Sequence, residues 1–357
     1  MAAERVTLKV LAEDLGVSRA TVSNAYNRPD QLSQALRTRI LARAAELGFA
    51  GPDPVARGLR RGRVGAVGVL VDQSISYAFS DPVAVLVLDG LAEELQADGF
   101  GLLLHAASGQ PSGEQLVRAA AVDGWILMTV PARHPTVAAA TAAGRPLVVL
   151  DEPALPGVPA VTIDDAGGAR AAAEHLLDLG HQSIGVLTPS LHRDGPAGLL
   201  DPYSWSDAAD TVMSTRLAAV TATLAAAGVP GSAMPVVECS ANTQAAGREG
   251  TALLLESVER LTAVLALSDQ LALGALQCAR EHRLSVPGAL SVIGFDDAPP
   301  GRTSRPPLTT VAQPLRERGT AAGRLMRGLL RGEPVTPPSP FPTHLVVRGS
   351  TARPREH

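Results

Sequence analysis

Two groups of residues have types and spacings that could do chemistry. The first is Ser18, Arg19, Ala20, Thr21, Ser23, Asn24 and Asn27. Hydroxyl and amide groups such as those of Ser18, Thr21, Ser23 and Asn27 suit phosphate oxygens. An arginine fork matches the edge of guanine, and a small apolar side chain touches a thymine methyl. Arg19, Ala20 and Asn24 would project together from the exposed face of one helix. The second group stands directly after apolar, strand-like runs: Asp72, Asp151, Ser268, Asp269, Asp296 and Asp297. A carboxylate accepts two sugar hydroxyls, Arg216 can donate to others, and Tyr77 and Phe79 offer apolar faces to a ring. Each group also has a plainer reading as helix caps. For Asp165 and Asp269, each beside a helix start, capping is expected; for Asp151 and Asp296, ligand contact.

The first group needs helices to present it. Leu8, Leu11, Ala12 and Leu15 recur at helical spacing. Thr7 can cap that helix and Gly16 can end it. Ser18 then caps a second helix over residues 19–25. A third starts after Ser33, with Leu36, Ile40, Leu41, Ala44 and Leu47 on one face, and stops at Gly48. Ala12 lets two helices approach, Gly16 supplies the left-handed turn, and Val22 packs between them. That trio at that spacing is what a helix-turn-helix requires.

The second group needs strand ends. Strand-like runs at 65–71, 100–105, 124–128, 146–150, 183–187, 262–267 and 290–294 alternate with helical stretches such as 82–97, 167–179 and 270–282. That alternation predicts parallel sheets with helices on both faces, whose ligands sit beyond the C-terminal ends of the strands.

Composition narrows the function classes. The chain has 357 residues, 46% hydrophobic and 18% charged, which suits a folded globular protein of two or three domains. Two cysteines exclude a disulfide scaffold and a thiolate-rich zinc site. No apolar run is long enough for a membrane span, and the first ten residues lack a signal-peptide core, so the expected address is cytoplasmic. Lys9 is the sole lysine, which leaves no residue for a Walker P-loop. A Gly-x-Ser-x-Gly elbow is absent, and the eight histidines form no His-x-x-x-His pair. His175 and His181 bracket a helix end and read as structural. The net charge of −4 hides an asymmetry. Residues 1–63 hold eleven basic and six acidic side chains, a balance of +5, and the rest balance at −9. A basic head on an acidic body suits a polyanion partner for the head.

The motifs resemble a known family. The run Val6-Thr7-Leu8, then Ala12-Glu13, Gly16-Val17-Ser18-Arg19-Ala20-Thr21-Val22-Ser23-Asn24 and Asn27 looks like the headpiece of the lactose/galactose repressor family of bacterial transcription regulators. Ala44-Ala45-Glu46-Leu47-Gly48-Phe49 continues the likeness, and Pro52-Asp53-Pro54-Val55-Ala56-Arg57-Gly58-Leu59-Arg60 is similar to the family hinge. In the body, Val122-Asp123-Gly124, Leu150-Asp151, Glu174-His175-Leu176, Ser291-Val292-Ile293-Gly294-Phe295-Asp296-Asp297 and Arg348-Gly349-Ser350 match as well. The sequence departs from the family in three places near the head: Lys9-Val10-Leu11 replaces the usual early Asp, Gly51 looks inserted, and Gly58 interrupts the hinge helix.

The resemblance implies a small all-α helix-turn-helix headpiece at 1–51, a hinge at 52–63, and an α/β body of two subdomains at 64–357, of the type I periplasmic-binding-protein-like fold. It implies double-stranded operator DNA read by Ser18, Arg19, Ala20, Thr21, Ser23, Asn24 and Asn27, with Ala56 and Leu59 at the minor groove, where Leu59 would wedge a base step. It implies a homodimer, no catalysis, no metal or cofactor, and a small-molecule effector held by Tyr77, Phe79, Asp151, Arg216, Ser268 and Asp296. A mono- or disaccharide is the implied effector, with a nucleoside or purine as the alternative. Where Ser268 stands the family often has Asn, so an amide contact is expected to be lost. Residues 192–210, with Trp205, depart most from the family, and Trp205 reads equally as a sugar platform, a lid or a packed loop residue. The rival readings are a cytoplasmic sugar-binding protein without a DNA role and an α/β enzyme.

Overall fold

The structure is a computed structural model. It describes residues 6–49, 51, 63–72, 74–107, 111–191, 197–200 and 211–355. Ala56 and Leu59 of the hinge, and Trp205, lie outside the described residues. The chain divides into two units, Met1–Gly65 and Ala66–His357.

The first unit is built from α1 (Leu8–Leu15), α2 (Arg19–Asn27) and α3 (Gln34–Glu46). Each helix starts at a hydroxyl cap. Thr7 accepts from Val10 N, Ser18 from Thr21 N at 3.0 Å, and Ser33 from Leu36 N. Gly16 ends α1 at φ 65°, where a side chain would be strained, and the turn closes through Val17 N donating to Ala12 O at 3.0 Å. Leu11, Ala12, Val22, Ala25, Ile40 and Ala44 form a small buried core. Tyr26 meets Phe49 edge-on at its border, 6.0 Å between ring centres. The second helix runs two residues further than the sequence pattern predicted, through Asn27.

The second unit holds two sheets. The first has β1 (Ala66–Val71), β2 (Gly101–Ala106), β3 (Gly124–Met128), β4 (Leu147–Leu150) and β5 (Ala160–Val161), all parallel in the order β2-β1-β3-β4-β5. Short α4 (Ile75–Ser80) leads into α5 (Pro82–Gln96), while α6 (Pro111–Ala119) and α7 (Pro135–Ala142) pack in the same half.

The second sheet has β6 (Ile184–Thr188), β7 (Gly198–Leu199), β8 (Val236–Glu238), β9 (Ala263–Ala266), β10 (Ser291–Asp296), β11 (Thr309–Ala312) and β12 (His344–Val346). Their order is β12-β11-β10-β9-β6-β8-β7, with the two edge strands antiparallel and the rest parallel. Four long helices cover it: α8 (Asp165–Asp178), α9 (Thr211–Ala226), α10 (Gln244–Ser257) and α11 (Asp269–Glu281). A short α12 (Pro299–Thr303) follows β10.

Then α13 (Leu315–Arg331) returns to the first half, burying Leu315, Ala322, Leu325 and Met326 against Val87, Leu91 and the first sheet. Its glycines allow the approach: a Cβ on Gly319 would sit 1.9 Å from Val87 O, and one on Gly90 of α5 would sit 2.1 Å from Arg316 O. The alternation read from sequence is present, with bounds shifted by one or two residues. The helices α4, α6, α7, α9, α10, α12 and α13 were not anticipated.

His181, expected to be structural, is buried. Its Nδ1 meets Thr262 Oγ1 at 2.9 Å and its Nε2 meets Ser291 Oγ at 3.0 Å and Ala352 O at 2.9 Å, so it ties the C-terminal segment to the second sheet. His175 Nε2 pairs with Thr351 Oγ1 at 2.9 Å.

Candidate functional site

Within the second unit the C-terminal ends of strands from both sheets converge on one cavity of about 150 Å³. The first sheet contributes Asp72 after β1, Thr129 after β3 and Asp151 after β4, and α4 adds Tyr77. The second half contributes Asp296 at the end of β10, Gln313 after β11, Ser268 at the start of α11, Arg216 from α9, and Asn242. Asp81 and Arg318 complete the polar lining. Three of these strand-end residues hold positive φ: Thr129 at 54°, Asp151 at 67° and Asp296 at 131°. Non-glycine residues rarely adopt such angles, and they persist only where surrounding contacts impose them.

A chain of polar contacts crosses the cavity floor. Arg318 donates to Asp151 and to Gln313. Gln313 donates from Nε2 to Asp296 Oδ1 at 2.7 Å. Asp296 lies 3.8 Å from Arg216 Nη1, and Arg216 donates from Nε to Asp165 Oδ1 at 2.7 Å. The guanidinium of Arg216 stacks over the Phe295 ring at 3.7 Å. On the opposite wall, Ser268 donates to Asn242 Oδ1 at 2.5 Å, and Asn242 donates from Nδ2 to the Tyr77 hydroxyl at 2.9 Å.

Burial sets the charge state of these groups. Loss of solvent pushes the Asp296 carboxyl up to about 7, with Arg216 opposing the rise. Asp269 is pushed well above the usual carboxylate range by burial and by the charge of Asp296. Burial also raises Asp81, although the backbone N–H groups of Ala84 and Val83 pull it back.

The structure brings Tyr77, Asp151, Arg216, Ser268 and Asp296 together, as the sequence suggested. Phe79 is not with them: it is 68% exposed and does not line the cavity. Tyr77 and Phe79 are two apart on α4, and residues two apart on a helix do not share a face.

The capping expectation for Asp165 and Asp269 also needs correcting. Asp164 caps α8, accepting from Gly167 N at 2.8 Å, which frees Asp165 for Arg216. Ser268 caps α11, accepting from Leu271 N at 3.3 Å. Asp269 instead accepts from Ala298 N at 2.8 Å and from Thr310 Oγ1 at 2.6 Å.

Asp81, Asn242, Gln313 and Arg318 were missed. Gln313 directly follows β11 and would have been found had that strand been recognised. Asp81 precedes Pro82, a cap-and-proline signature, and it does cap α5 through Ala84 N at 3.1 Å. Asn242 lies in the loop before α10, and no local signal marks it.

In the head, Arg19 and Ala20 are exposed at the start of α2. Ser18 Oγ and Thr21 Oγ1 are 2.8 Å apart. Asn24 donates from Nδ2 to Gln31 Oε1 at 3.3 Å, and Asn27 donates from Nδ2 to Ser23 O at 2.9 Å and to its hydroxyl at 3.2 Å. Asn24 and Asn27 are thus half-buried and engaged within the head. Part of the head's basic charge is spent internally. Arg43 grips Asp14 through two contacts of 2.7 and 2.9 Å, Arg39 donates to Leu15 O at 2.9 Å, and Arg37 donates to Ala25 O at 3.2 Å.

Among the described residues no helix is long and apolar enough to cross a membrane, and no cluster of three or more histidine, cysteine or acidic side chains could hold a metal ion.

A helix-turn-helix unit followed by a two-sheet α/β unit with a polar cavity at its strand ends defines a class of ligand-binding transcription regulators. Residues 173–351 match the family model of a periplasmic binding protein-like domain. A curated relative, an HTH-type transcriptional regulator of Mycobacterium tuberculosis, is 41% identical over 355 residues, 98% of each chain. Among solved structures, the lac repressor dimer bound to operator and the anti-inducer ONPF superposes with a TM-score of 0.75 at 27% identity, covering 98% of this chain and 100% of that one. The regulator CelR in complex with cellobiose gives a TM-score of 0.67 at 28% identity, covering 97% and 100%. This chain belongs to the lactose/galactose repressor (LacI) family of HTH-type transcriptional regulators.

Proposed function

We propose that the chain is a dimeric repressor that releases or grips operator DNA according to a small sugar held in the cavity. Residues 1–51 read one operator half-site. Residues 52–63 form the hinge, with Ala56 and Leu59 at the minor groove. Residues 64–357 bind the effector and carry the dimer contacts. Arg19 and Ala20 read base edges, and Ser18, Thr21, Ser23, Asn24 and Asn27 hold phosphates or brace the reading helix. Tyr77, Asp151, Arg216, Ser268 and Asp296 contact the effector, joined by Asp81, Asn242, Gln313 and Arg318. The protein works in the cytoplasm and performs no catalysis.

One observation carries the reading: a single chain joins a helix-turn-helix to a body whose two sheets aim their strand ends into one polar cavity. Support comes from the operator complex of the lac repressor dimer and the cellobiose complex of CelR. A cavity of about 150 Å³ suits a single six-membered ring, since an apolar cavity of that size holds benzene.

The test is selection of duplexes from a random pool with the full chain, followed by binding titrations on the winners across salt concentrations. Enrichment of near-palindromic sequences, with affinity falling steeply as salt rises, supports the reading. A pool that stays random after several rounds overturns it.

A further inference from the structure

We propose that the cavity selects an uncharged, hydroxyl-rich effector and rejects the anionic derivatives of the same ring, namely phosphate esters and uronic acids. The inference rests on the reading of this cavity as the effector site and adds a charge rule to it.

Four carboxylates line the cavity, Asp72, Asp81, Asp151 and Asp296, against the guanidinium groups of Arg216 and Arg318. Neither arginine is positioned as an anion receptor. Arg216 is held from behind by Asp165 at 2.7 Å and by Leu267 O at 2.9 Å, lies 3.8 Å from Asp296, and is stacked on Phe295. Arg318 is held by Asp151 and Gln313 through both of its terminal nitrogens. A phosphate or carboxylate entering the cavity would have to displace these carboxylates from the arginines. It would then sit beside Asp81, Asp151 and Asp296 in a site poorly screened by solvent, where like charges repel strongly.

The unpartnered atoms point the same way. Asp81 Oδ1 and Asp151 Oδ1 are buried acceptors without a hydrogen-bond partner, and Arg318 Nε is a buried donor without one. Buried polar groups are normally paired, so a ligand that fits must bring donors to two carboxylates and an acceptor to one guanidinium. A hydroxyl does both. An ionised phosphate ester or uronate adds acceptors where the cavity already has an excess. An amino group would be tolerated, because it adds donors and positive charge.

The experiment uses the full chain at pH 7.5, with thermal shift and calorimetry against ribose, glucose, galactose and cellobiose. The three monosaccharides are compared with their charged counterparts: ribose 5-phosphate for ribose, glucose 6-phosphate, glucuronate and glucosamine for glucose, and galacturonate for galactose. The expected result is stabilisation confined to neutral and amino probes, with every anionic probe at least about a hundredfold weaker than its parent. An anionic probe that binds as tightly as its neutral parent overturns the charge rule and leaves the effector-site reading standing. If neither neutral nor charged probes bind, the effector-site reading falls, and the charge rule with it.

Two variants test the cause. Asp151→Asn keeps a residue type that tolerates positive φ while releasing one grip on Arg318, and Asp81→Asn keeps the oxygen that caps α5. Each is expected to raise the affinity for anionic probes relative to neutral ones by tenfold or more. If both variants keep the wild-type melting temperature and the wild-type ratio, the carboxylates do not set the selection.

Discussion

Asn242 and Tyr77 meet across the cavity, the amide Nδ2 donating to the phenol oxygen at 2.9 Å, although one belongs to the second half of the body and the other to the first. The same amide accepts from Ser268 at 2.5 Å through its oxygen. One side chain therefore joins a helix start of the second half to α4 of the first. An amide, that of Asn242, thus stands beside Ser268 in the cavity although it comes from a different loop.

Replacing Asn242 with alanine removes both bonds and leaves the Ser268 and Tyr77 hydroxyls to other partners. Each hydrogen bond contributes about 1 kcal/mol net, so Asn242→Ala should weaken binding of a cavity ligand by tenfold or more. Operator affinity without ligand should hold. Calorimetry on a sugar that binds the wild type, paired with operator titrations, measures both. An unchanged ligand affinity would remove the bridge from the binding mechanism.

Arg19 stands exposed at the first position of α2, whereas Arg37, Arg39 and Arg43 are turned to partners inside the head. Arg19→Ala should relax base preference at one operator position and cost about 1–3 kcal/mol there. Arg43→Ala breaks a solvent-screened pair with Asp14, should change stability little, and should leave base preference intact. Binding profiles of both variants over all single-base changes in the operator would separate them. If Arg19→Ala loses affinity equally on every sequence, its contact is to the backbone.

The head was legible because its determinants are local: Thr7, Ser18 and Ser33 cap helices only a few residues away, and Gly16 turns the chain where it stands. The strand-end aspartates were legible for the same reason, since parallel sheets expose their C-terminal ends. What the sequence concealed was long-range. Which of Asp164 and Asp165 caps α8 depends on where Arg216, fifty-one residues on, places its guanidinium. Phe79 looked equivalent to Tyr77 until α4 placed them on different faces. The helix α13 was hidden by its three glycines, which read as interruptions. Its signal was Gly319 and Gly323 four apart, interleaved with the apolar Leu315, Ala322, Leu325 and Met326.

Those glycines give a sharp stability prediction. Alanine is favoured over glycine inside an isolated helix by about 1 kcal/mol, so Gly319→Ala would stabilise α13 if only propensity mattered. A Cβ there lies 1.9 Å from Val87 O and 2.9 Å from Leu91 N, both backbone atoms of α5. Overpacking of this kind costs about 1–3 kcal/mol, and the rigid backbone places it at the upper end. Urea unfolding should show Gly319→Ala less stable than wild type. A variant equal to or more stable than wild type would mean that α5 and α13 separate easily.

Asp296 makes stability depend on pH in a direction opposite to most surface aspartates. Burial lifts its carboxyl from an ordinary value of 3.8 to about 7, so the folded chain holds this proton more tightly than the unfolded chain does. Its contribution to stability is full below about pH 4 and is lost as pH rises through about 7. Each unit of displacement is worth about 1.4 kcal/mol. The groups facing it are Arg216, Gln313, Asp81 and Asp269; all stay in place in Asp296→Asn, but the variant also relieves the charge that raises Asp269, which acts in the same direction. The asparagine cannot ionise, so the variant should gain on the wild type steadily between pH 4 and 7 and run parallel to it above about 8. Burial holds His105, His134, His175 and His181 below their ordinary values, which weakens the fold at acid pH. Both proteins share those histidines, so their effect cancels in the difference. Lost hydrogen bonds to the second carboxylate oxygen offset the pair by an amount that does not vary with pH. Urea midpoints for both proteins at half-unit steps from pH 4.5 to 8.5 provide the measurement. A constant gap across that range would show that Asp296 stays ionised throughout, and that the cavity floor carries its full negative charge even in acid.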